Sequence, residues 1–206
     1  MAPHPLINQP APEFSIPDAN GHTFKFPPEE QGVRVKKPIA LFFYPEAGTF
    51  GCIREACQFR DALVEKEIFK RTDVQVIGIS PDPVPKQKQF VESQNLTYPV
   101  LSDEKHVAYQ AFHVGKSLLG FTDTRTTFVI DSEGIIRDSL SATMNYSAHV
   151  KFVIKALGKL EVDSSQHSVE SSSKTHDVED DAVRSDDSSS SQIPDELGRV
   201  AYVVGA

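Results

Sequence analysis

The chain contains, at positions 42 to 57, the stretch Phe42-Phe43-Tyr44-Pro45-Glu46-Ala47-Gly48-Thr49-Phe50-Gly51-Cys52-Ile53-Arg54-Glu55-Ala56-Cys57. Its apolar beginning continues a run that starts at Ile39 and ends at Pro45, and a turn containing Gly48 follows. From Cys52 onward, apolar residues recur at helical spacing. The stretch therefore predicts a buried strand, a loop, and a helix whose first turn holds Cys52.

Strands and helices alternate on both sides of this stretch. Asn20-Gly21 predicts the turn of an N-terminal hairpin, and residues 27–37 are expected to form a polar connector. Continuous apolar runs at 74–79 and 126–130 predict two more buried strands. A last amphipathic helix is expected over Ser147 to Leu160. This order predicts an α/β fold, with a mixed central sheet flanked by helices.

The composition changes at residue 163. Residues 163–206 contain ten acidic side chains, three basic ones and eleven serines. Such a segment cannot bury enough apolar surface to offset its ordering entropy, so we expect one domain over residues 1–162 and a disordered acidic tail over 163–206. Within the tail, residues 200–204 have high β-propensity and suit pairing with a sheet edge or a partner, although a frayed terminus is favoured.

Composition also excludes some functions. The formal net charge is −8, almost all of it in the tail, and the densest basic cluster is the short run at 33–37. A nucleic-acid binder needs a basic face, so we expect no nucleic-acid partner. No apolar run approaches the roughly 20 residues of a membrane-spanning helix, and neither terminus carries a targeting signal. We expect a cytoplasmic protein, with the nucleus as the alternative compartment.

Cys52 is a candidate nucleophile because of its predicted position. In the first turn of a helix, unpaired backbone N–H groups and the helix dipole favour a thiolate over a thiol. The loop before it follows the carboxyl end of a strand, which is where ligands bind in open α/β sheets. The alternative is an inert thiol, since free cysteines are commonly buried. Position alone leaves both interpretations open.

The spacing between Cys52 and Cys57 limits what the pair can do. Residues five apart on an ideal helix have Cα atoms roughly 8–9 Å apart, whereas a disulfide tolerates at most about 7 Å. A bond between the two cysteines would therefore require local unwinding. The spacing also lacks the two-residue gap of a redox pair or zinc knuckle, and the seven histidines show no ligand spacing near the cysteines. We expect neither a metal nor a cofactor.

Three separated motifs together resemble the peroxiredoxins. Pro45-x-x-x-Thr49-x-x-Cys52 has the family's Pro-x-x-x-Thr-x-x-Cys form, and Cys52-x4-Cys57 is similar to the bacterioferritin-comigratory-protein or PrxQ subfamily. The block from Arg125 to Asp131 resembles the strand that carries that subfamily's active-site arginine. The resemblance covers most of the predicted domain and implies a thioredoxin-like fold.

The resemblance also implies a role for each matched residue. Cys52 would attack a peroxide and become a sulfenic acid, and Cys57 would condense with it to an intramolecular disulfide. Thr49 would hydrogen-bond the thiolate and the peroxide, Pro45 would shield the site from water, and Arg125 would stabilise the thiolate and polarise the peroxide. The implied enzyme is a thiol-dependent peroxidase for hydrogen peroxide and organic hydroperoxides. Thioredoxin or a similar dithiol would recycle it, and an intrachain disulfide is compatible with a monomer.

Some interpretations stay open beside this one. Phe50 stands where the subfamily usually has proline, which favours organic hydroperoxides as substrates. Glu55 either tunes Cys52 or is a solvated helix charge, and taken alone Arg125 would suit a surface ion pair and Thr49 an ordinary helix cap. The alternative functions are a redox sensor that passes oxidation to client proteins and a non-catalytic interaction protein that acts through the tail.

Overall fold

The computed structural model describes residues 3–115, 124–142 and 144–172. The strands are β1 (Phe14–Pro17), β2 (Thr23–Phe26), β3 (Glu29–Glu30), β4 (Val33–Arg34), β5 (Ile39–Phe43), β6 (Gln75–Ser80), β7 (Val100–Ser102), β8 (Thr126–Ile130) and β9 (Ile136–Ser141). The helices are α1 (Phe50–Glu65), α2 (Glu67–Thr72), α3 (Val84–Gln94), α4 (Val107–Ala111) and α5 (Tyr146–Ser172). The predicted tail beyond residue 172, with its 200–204 stretch, lies outside the described residues.

The central sheet has the strand order β7-β6-β5-β8-β9. β5, β6 and β7 run parallel, whereas β8 is antiparallel to both β5 and β9. This mixed sheet, with helices packed on it, confirms the predicted α/β fold class. The antiparallel pairing of β5 with β8 positions the site, because Phe43 at the end of β5 pairs with Thr126 at the start of β8. Residue 125 therefore lies beside the loop that follows β5.

Side chains of β5 alternate between two apolar cores. Ala40 and Phe42, with Tyr44 just after the strand, pack on the side of α1 and α5, where the core also contains Phe59. The residues between them pack on the opposite side with the β1–β2 hairpin and α4; they are Ile39, Leu41 and Phe43. Because both faces are covered, every residue of β5 is buried, as a continuous apolar run predicts.

The structure differs from the sequence expectations mainly at element ends. The polar connector at 27–37 contains the short β3–β4 ladder. The helix after Cys52 breaks at Lys66, whose extended backbone (φ −94°, ψ 118°) separates α1 from α2 and lets Phe69 pack into the core. α5 continues to Ser172, beyond the end expected at residue 160. Among the described residues, we find no helix with the length and hydropathy needed to cross a membrane.

Phe59 should contribute strongly to the stability of α1 on the sheet. It is fully buried and stacks on Phe42 with ring centroids 4.6 Å apart. We expect Phe59→Ala to lower the free energy of unfolding by about 3–5 kcal/mol, because it removes apolar contacts and leaves a cavity. Val64→Ala, at a 67% exposed position of the same helix, should change it by less than about 0.5 kcal/mol. Urea unfolding measures both, and similar effects for the two variants would contradict this account.

Candidate active site

Cys52 is the third residue of α1 and is 1% exposed. Thr49 occupies the N-cap position, and its hydroxyl donates to the Glu46 carbonyl oxygen at 3.1 Å. Because Cys52 lies in the first turn, it is close to backbone N–H groups that have no partner within the helix. The positive end of the helix dipole also acts on its sulfur. The local environment therefore favours negative charge at Cys52.

Arg125 supplies a full positive charge to the same sulfur. Its Nη2 donates to Cys52 Sγ at 3.3 Å, and its Nη1 pairs with Glu55 Oε2. The residue is 3% exposed, so it is not a surface ion-pair residue. Its position follows from the sheet, because the antiparallel pairing of β5 and β8 places residue 125 beside the loop that leads to α1.

Glu55 lies one turn after Cys52 and is fully buried, so the alternative of a solvated helix charge is wrong. Burial raises the pKa of Glu55 to about 7, and the charge and hydrogen bond of Arg125 offset part of that rise. The carboxyl group therefore titrates near neutral pH while it shares Arg125 with the sulfur of Cys52.

His149, on α5, forms the far side of this cluster. Its Nε2 lies 2.9 Å from the Ala142 carbonyl oxygen, so Nε2 carries the proton and donates. Its Nδ1 then accepts from the Thr127 hydroxyl at 2.8 Å, and it lies 3.5 Å from Glu55 Oε1. Burial, with the nearby charge of Arg125, lowers the pKa of His149 to about 4, so the ring is neutral. His149 was not predicted from the sequence; its position four residues before Val153, on an apolar helix face, was the available signal.

Tyr146 and Gly51 pack together beside the guanidinium. The Tyr146 ring centroid lies 5.1 Å from Arg125 Cζ, a cation–π distance. A Cβ atom on Gly51 would overlap the ring of Tyr146. Glycine at the second position of α1 therefore lets the aromatic ring pack against the first turn of the helix and cover Arg125.

Asp82 anchors the loop of residues 45–49. Its Oδ2 accepts the backbone N–H of Ala47 at 2.6 Å. Lys86 Nζ joins the Asp82 and Glu46 carboxylates at 2.7 and 2.9 Å. The loop thus has both a backbone anchor and a charged clamp, which fix the entry to α1.

The structure brings some of the predicted site residues together and keeps others apart. Cys52 and Arg125 are in contact, while half-buried Pro45 and exposed Thr49 lie in the loop that leads into α1. Cys57 lies further along α1, half-buried, and both thiols are free. Because α1 is helical through both cysteines, they are as far apart as helix geometry requires. Within residues 3–115, 124–142 and 144–172, no group of three or more His, Cys, Asp or Glu side chains suits a metal ion.

The neutral state of His149 should make stability depend on pH. The unfolded chain protonates this ring near pH 6.5, whereas the folded chain does so only near pH 4. The stability that depends on neutral His149 is therefore present above pH 6.5 and is lost as the pH falls through this window. His149→Gln keeps a donor for Ala142 and an acceptor for Thr127, but it cannot titrate.

We expect the unfolding free energy of the wild type, minus that of His149→Gln, to fall by about 2–3 kcal/mol between pH 7 and pH 4. Val64→Ala, which removes no titratable group and lies at a 67% exposed position, is the control and should keep the pH profile of the wild type. Urea unfolding across this pH range measures the effect, and equal pH profiles for wild type and His149→Gln would contradict it.

Comparisons with known proteins identify the family of this fold. A model of the AhpC/TSA family matches residues 7–139. Peroxiredoxin Bcp of Bacillus subtilis is 38% identical over 62% of this chain and 80% of its own length. Chloroplastic peroxiredoxin Q of Triticum aestivum is 31% identical over 72% of this chain and 65% of its own length.

Solved structures show the same architecture. The crystal structure of peroxidoxin BcpB from Mycobacterium tuberculosis has a TM-score of 0.63 and 34% identity, over 74% of this chain and 96% of that chain. The fold is therefore the thioredoxin-like fold that the sequence motifs implied. Because the family model also matches more than half of its residues, this chain belongs to the AhpC/TSA family, with relatives among the Bcp and PrxQ peroxiredoxins.

Proposed function

We propose that the chain is a thiol-dependent peroxidase that reduces hydrogen peroxide and organic hydroperoxides at Cys52. The observation that carries the proposal is the 3.3 Å contact from Arg125 Nη2 to Cys52 Sγ, in a buried site at the start of a helix. A guanidinium stays charged at all physiological pH values, so it suits both a thiolate and the negative charge that develops on a leaving oxygen. The peroxiredoxin names of the relatives agree with this chemistry.

In the first step, the Cys52 thiolate attacks one peroxide oxygen. An S–O bond forms, the O–O bond breaks, and the leaving alkoxide or hydroxide takes a proton to become alcohol or water. Cys52 becomes a sulfenic acid. We assign to Thr49 the hydrogen bond to the bound peroxide and to Pro45 the exclusion of water, because both lie in the loop that leads into α1.

In the second step, the Cys57 sulfur attacks the sulfenic sulfur of Cys52, so that a disulfide forms and water leaves. The two Cα atoms are roughly 8–9 Å apart in a helix, so residues 52–57 must leave the helical conformation first. Thioredoxin or a similar dithiol then reduces the disulfide. Since both sulfur atoms belong to one chain, the cycle is complete in a monomer.

The surroundings of the site support a range of substrates. Phe50, the first residue of α1, is 70% exposed and offers an apolar surface two residues from Cys52. This surface favours hydroperoxides that carry an organic group. Because the cycle needs a dithiol reductant, we propose the cytoplasm as its compartment, where thiols are kept reduced.

Intact mass measures the proposed cycle directly. Reduced wild-type protein with one equivalent of hydrogen peroxide should lose the mass of two hydrogens, because an intramolecular disulfide forms. Cys57→Ser should instead stop at the sulfenic acid, which dimedone labels at Cys52. Cys52→Ser should keep its mass and consume no peroxide. If Cys52→Ser consumes peroxide as fast as wild type, the proposed function is wrong.

We also propose that residues 1–162 contain the whole catalytic unit and that the acidic tail, predicted over 163–206, takes no part in catalysis. Because α5 continues to Ser172, the test removes only residues 173–206. Peroxide consumption with a dithiol reductant should stay within about twofold of the full chain, since the residues assigned to catalysis all precede the cut. A loss of activity with an unchanged unfolding transition would show that the tail takes part.

A further inference from the structure

Residues 94–98, the last residue of α3 and most of the connection that leads to β7, contact the part of α1 that contains Cys57. The Tyr98 hydroxyl donates to the Ala56 carbonyl oxygen at 2.9 Å. The Cys57 thiol donates to Gln94 Oε1 at 3.6 Å, within the range for sulfur. Arg60 Nη1 donates to the Gln94 carbonyl oxygen at 2.6 Å. Three hydrogen bonds thus join this short connection to one turn of α1.

The hydrogen bond from Tyr98 is made to the segment of α1 that has to unwind before the two cysteines can bond. Ala56 is between the two cysteines, so its carbonyl oxygen belongs to the segment that must unwind before they can bond. Tyr98 is 7% exposed and packs edge-on against Phe42, so its ring is held in place independently of the hydroxyl. Burial raises the pKa of Tyr98 well above its usual value, so the phenol remains a donor.

The bond from Gln94 holds the second thiol itself. Gln94 is the last residue of α3, and Asn95 after it adopts the left-handed conformation that ends the helix (φ 49°). The Gln94 carbonyl group at this helix end faces α1 and accepts from Arg60, while its side-chain Nε2 donates to Ser93 Oγ at 3.2 Å. Cys57 must release Gln94 before it can approach Cys52, which is part of the cluster with Arg125 and Glu55.

We propose that residues 94–98 hold the helical conformation of the Cys57 turn, with Tyr98 and Gln94 as positioning residues that set how fast the disulfide forms. The proposal rests on the proposed peroxidase function. The sulfenic acid at Cys52 has two fates. It condenses with the Cys57 thiol to give a disulfide and water, or a second hydroperoxide oxidises it to a sulfinic acid and leaves as alcohol or water. Contacts that hold Cys57 in the helix slow the first fate and leave the second unchanged.

Tyr98→Phe is the sharpest test because it removes one hydroxyl and keeps the ring. The Ala56 carbonyl oxygen still has the N–H four residues on, as in any α-helix, so no buried acceptor is orphaned. Losing one net hydrogen bond should raise the population of the unwound turn, and the rate of disulfide formation, by about 2- to 12-fold. Quenched-flow mixing with peroxide, dimedone trapping and mass analysis follow the sulfenic acid and the disulfide separately.

The rate of the first step, thiolate oxidation, should stay unchanged in Tyr98→Phe. At a fixed high peroxide concentration, the ratio of sulfinic acid to disulfide should fall by the factor by which the rate of disulfide formation rises. Gln94→Leu, which removes the acceptor for the Cys57 thiol, should shift the same two quantities in the same direction. Amide hydrogen exchange of the reduced proteins should be faster in Tyr98→Phe than in the wild type at residues 52–60, and unchanged in the rest of α1.

Tyr109→Phe is the matched control. In the wild type, the Tyr109 hydroxyl donates to the Tyr44 carbonyl oxygen at 2.8 Å, and its ring packs in the core on the face of the sheet opposite α1. The Tyr109→Phe variant therefore also loses a buried hydrogen bond to a backbone carbonyl, but one that does not involve α1. This variant should not form the disulfide faster than the wild type. If wild type, Tyr98→Phe and Gln94→Leu form the disulfide at equal rates while sulfenic acid formation is normal, the proposed role of residues 94–98 is wrong, but the proposed function still stands. A wild type that forms no sulfenic acid would overturn the proposed function as well.

Discussion

The site depends on one buried guanidinium, that of Arg125, which is shared between a sulfur and a carboxylate. A buried cation without a partner costs several kcal/mol, so Glu55 is needed to keep Arg125 in place. Cys52 and Glu55 are three residues apart on α1 and therefore lie on the same face of the helix. The register between β5 and β8 brings Arg125 to that face. Sheet register, helix phase and charge pairing thus fix a single geometry for the sulfur.

The same arrangement places two acids beside one cation. When Cys52 is a thiolate and Glu55 is ionised, the two negative charges share Arg125. Burial raises the pKa of Glu55 to about 7, so the carboxyl group beside Arg125 exists in both charged and neutral forms near neutral pH. In the proposed cycle Cys52 becomes a neutral sulfenic acid, which would leave Glu55 as the anion that faces the guanidinium. That cycle would therefore couple the protonation of Glu55 to the redox state of Cys52.

Local sequence patterns were sufficient for the strand, the loop and the helix around Cys52, because each has its own periodicity or turn signal. The family motif added Arg125, which no local pattern singles out. The burial of Glu55 and the contacts of His149 were not predicted, because both depend on how α5 packs on α1 and β8; for His149 the helical spacing to Val153 gave only the buried face. The break at Lys66 was missed for a similar reason. It is stabilised by Phe69 entering a core that forms only in the folded chain.

Helix α1 meets two opposed requirements, and its contacts are divided between them. The first turn has to hold Cys52 near Arg125, yet residues 52–57 have to unwind if the two sulfur atoms are to bond. The second half of the helix is anchored by fully buried apolar side chains, with Phe59 stacked on Phe42. The Cys57 turn contributes only the small side chain of Ala56 to that core, and a few hydrogen bonds join it to residues 94–98. Because such bonds are individually weak, that turn can open while the apolar half keeps the helix on the sheet.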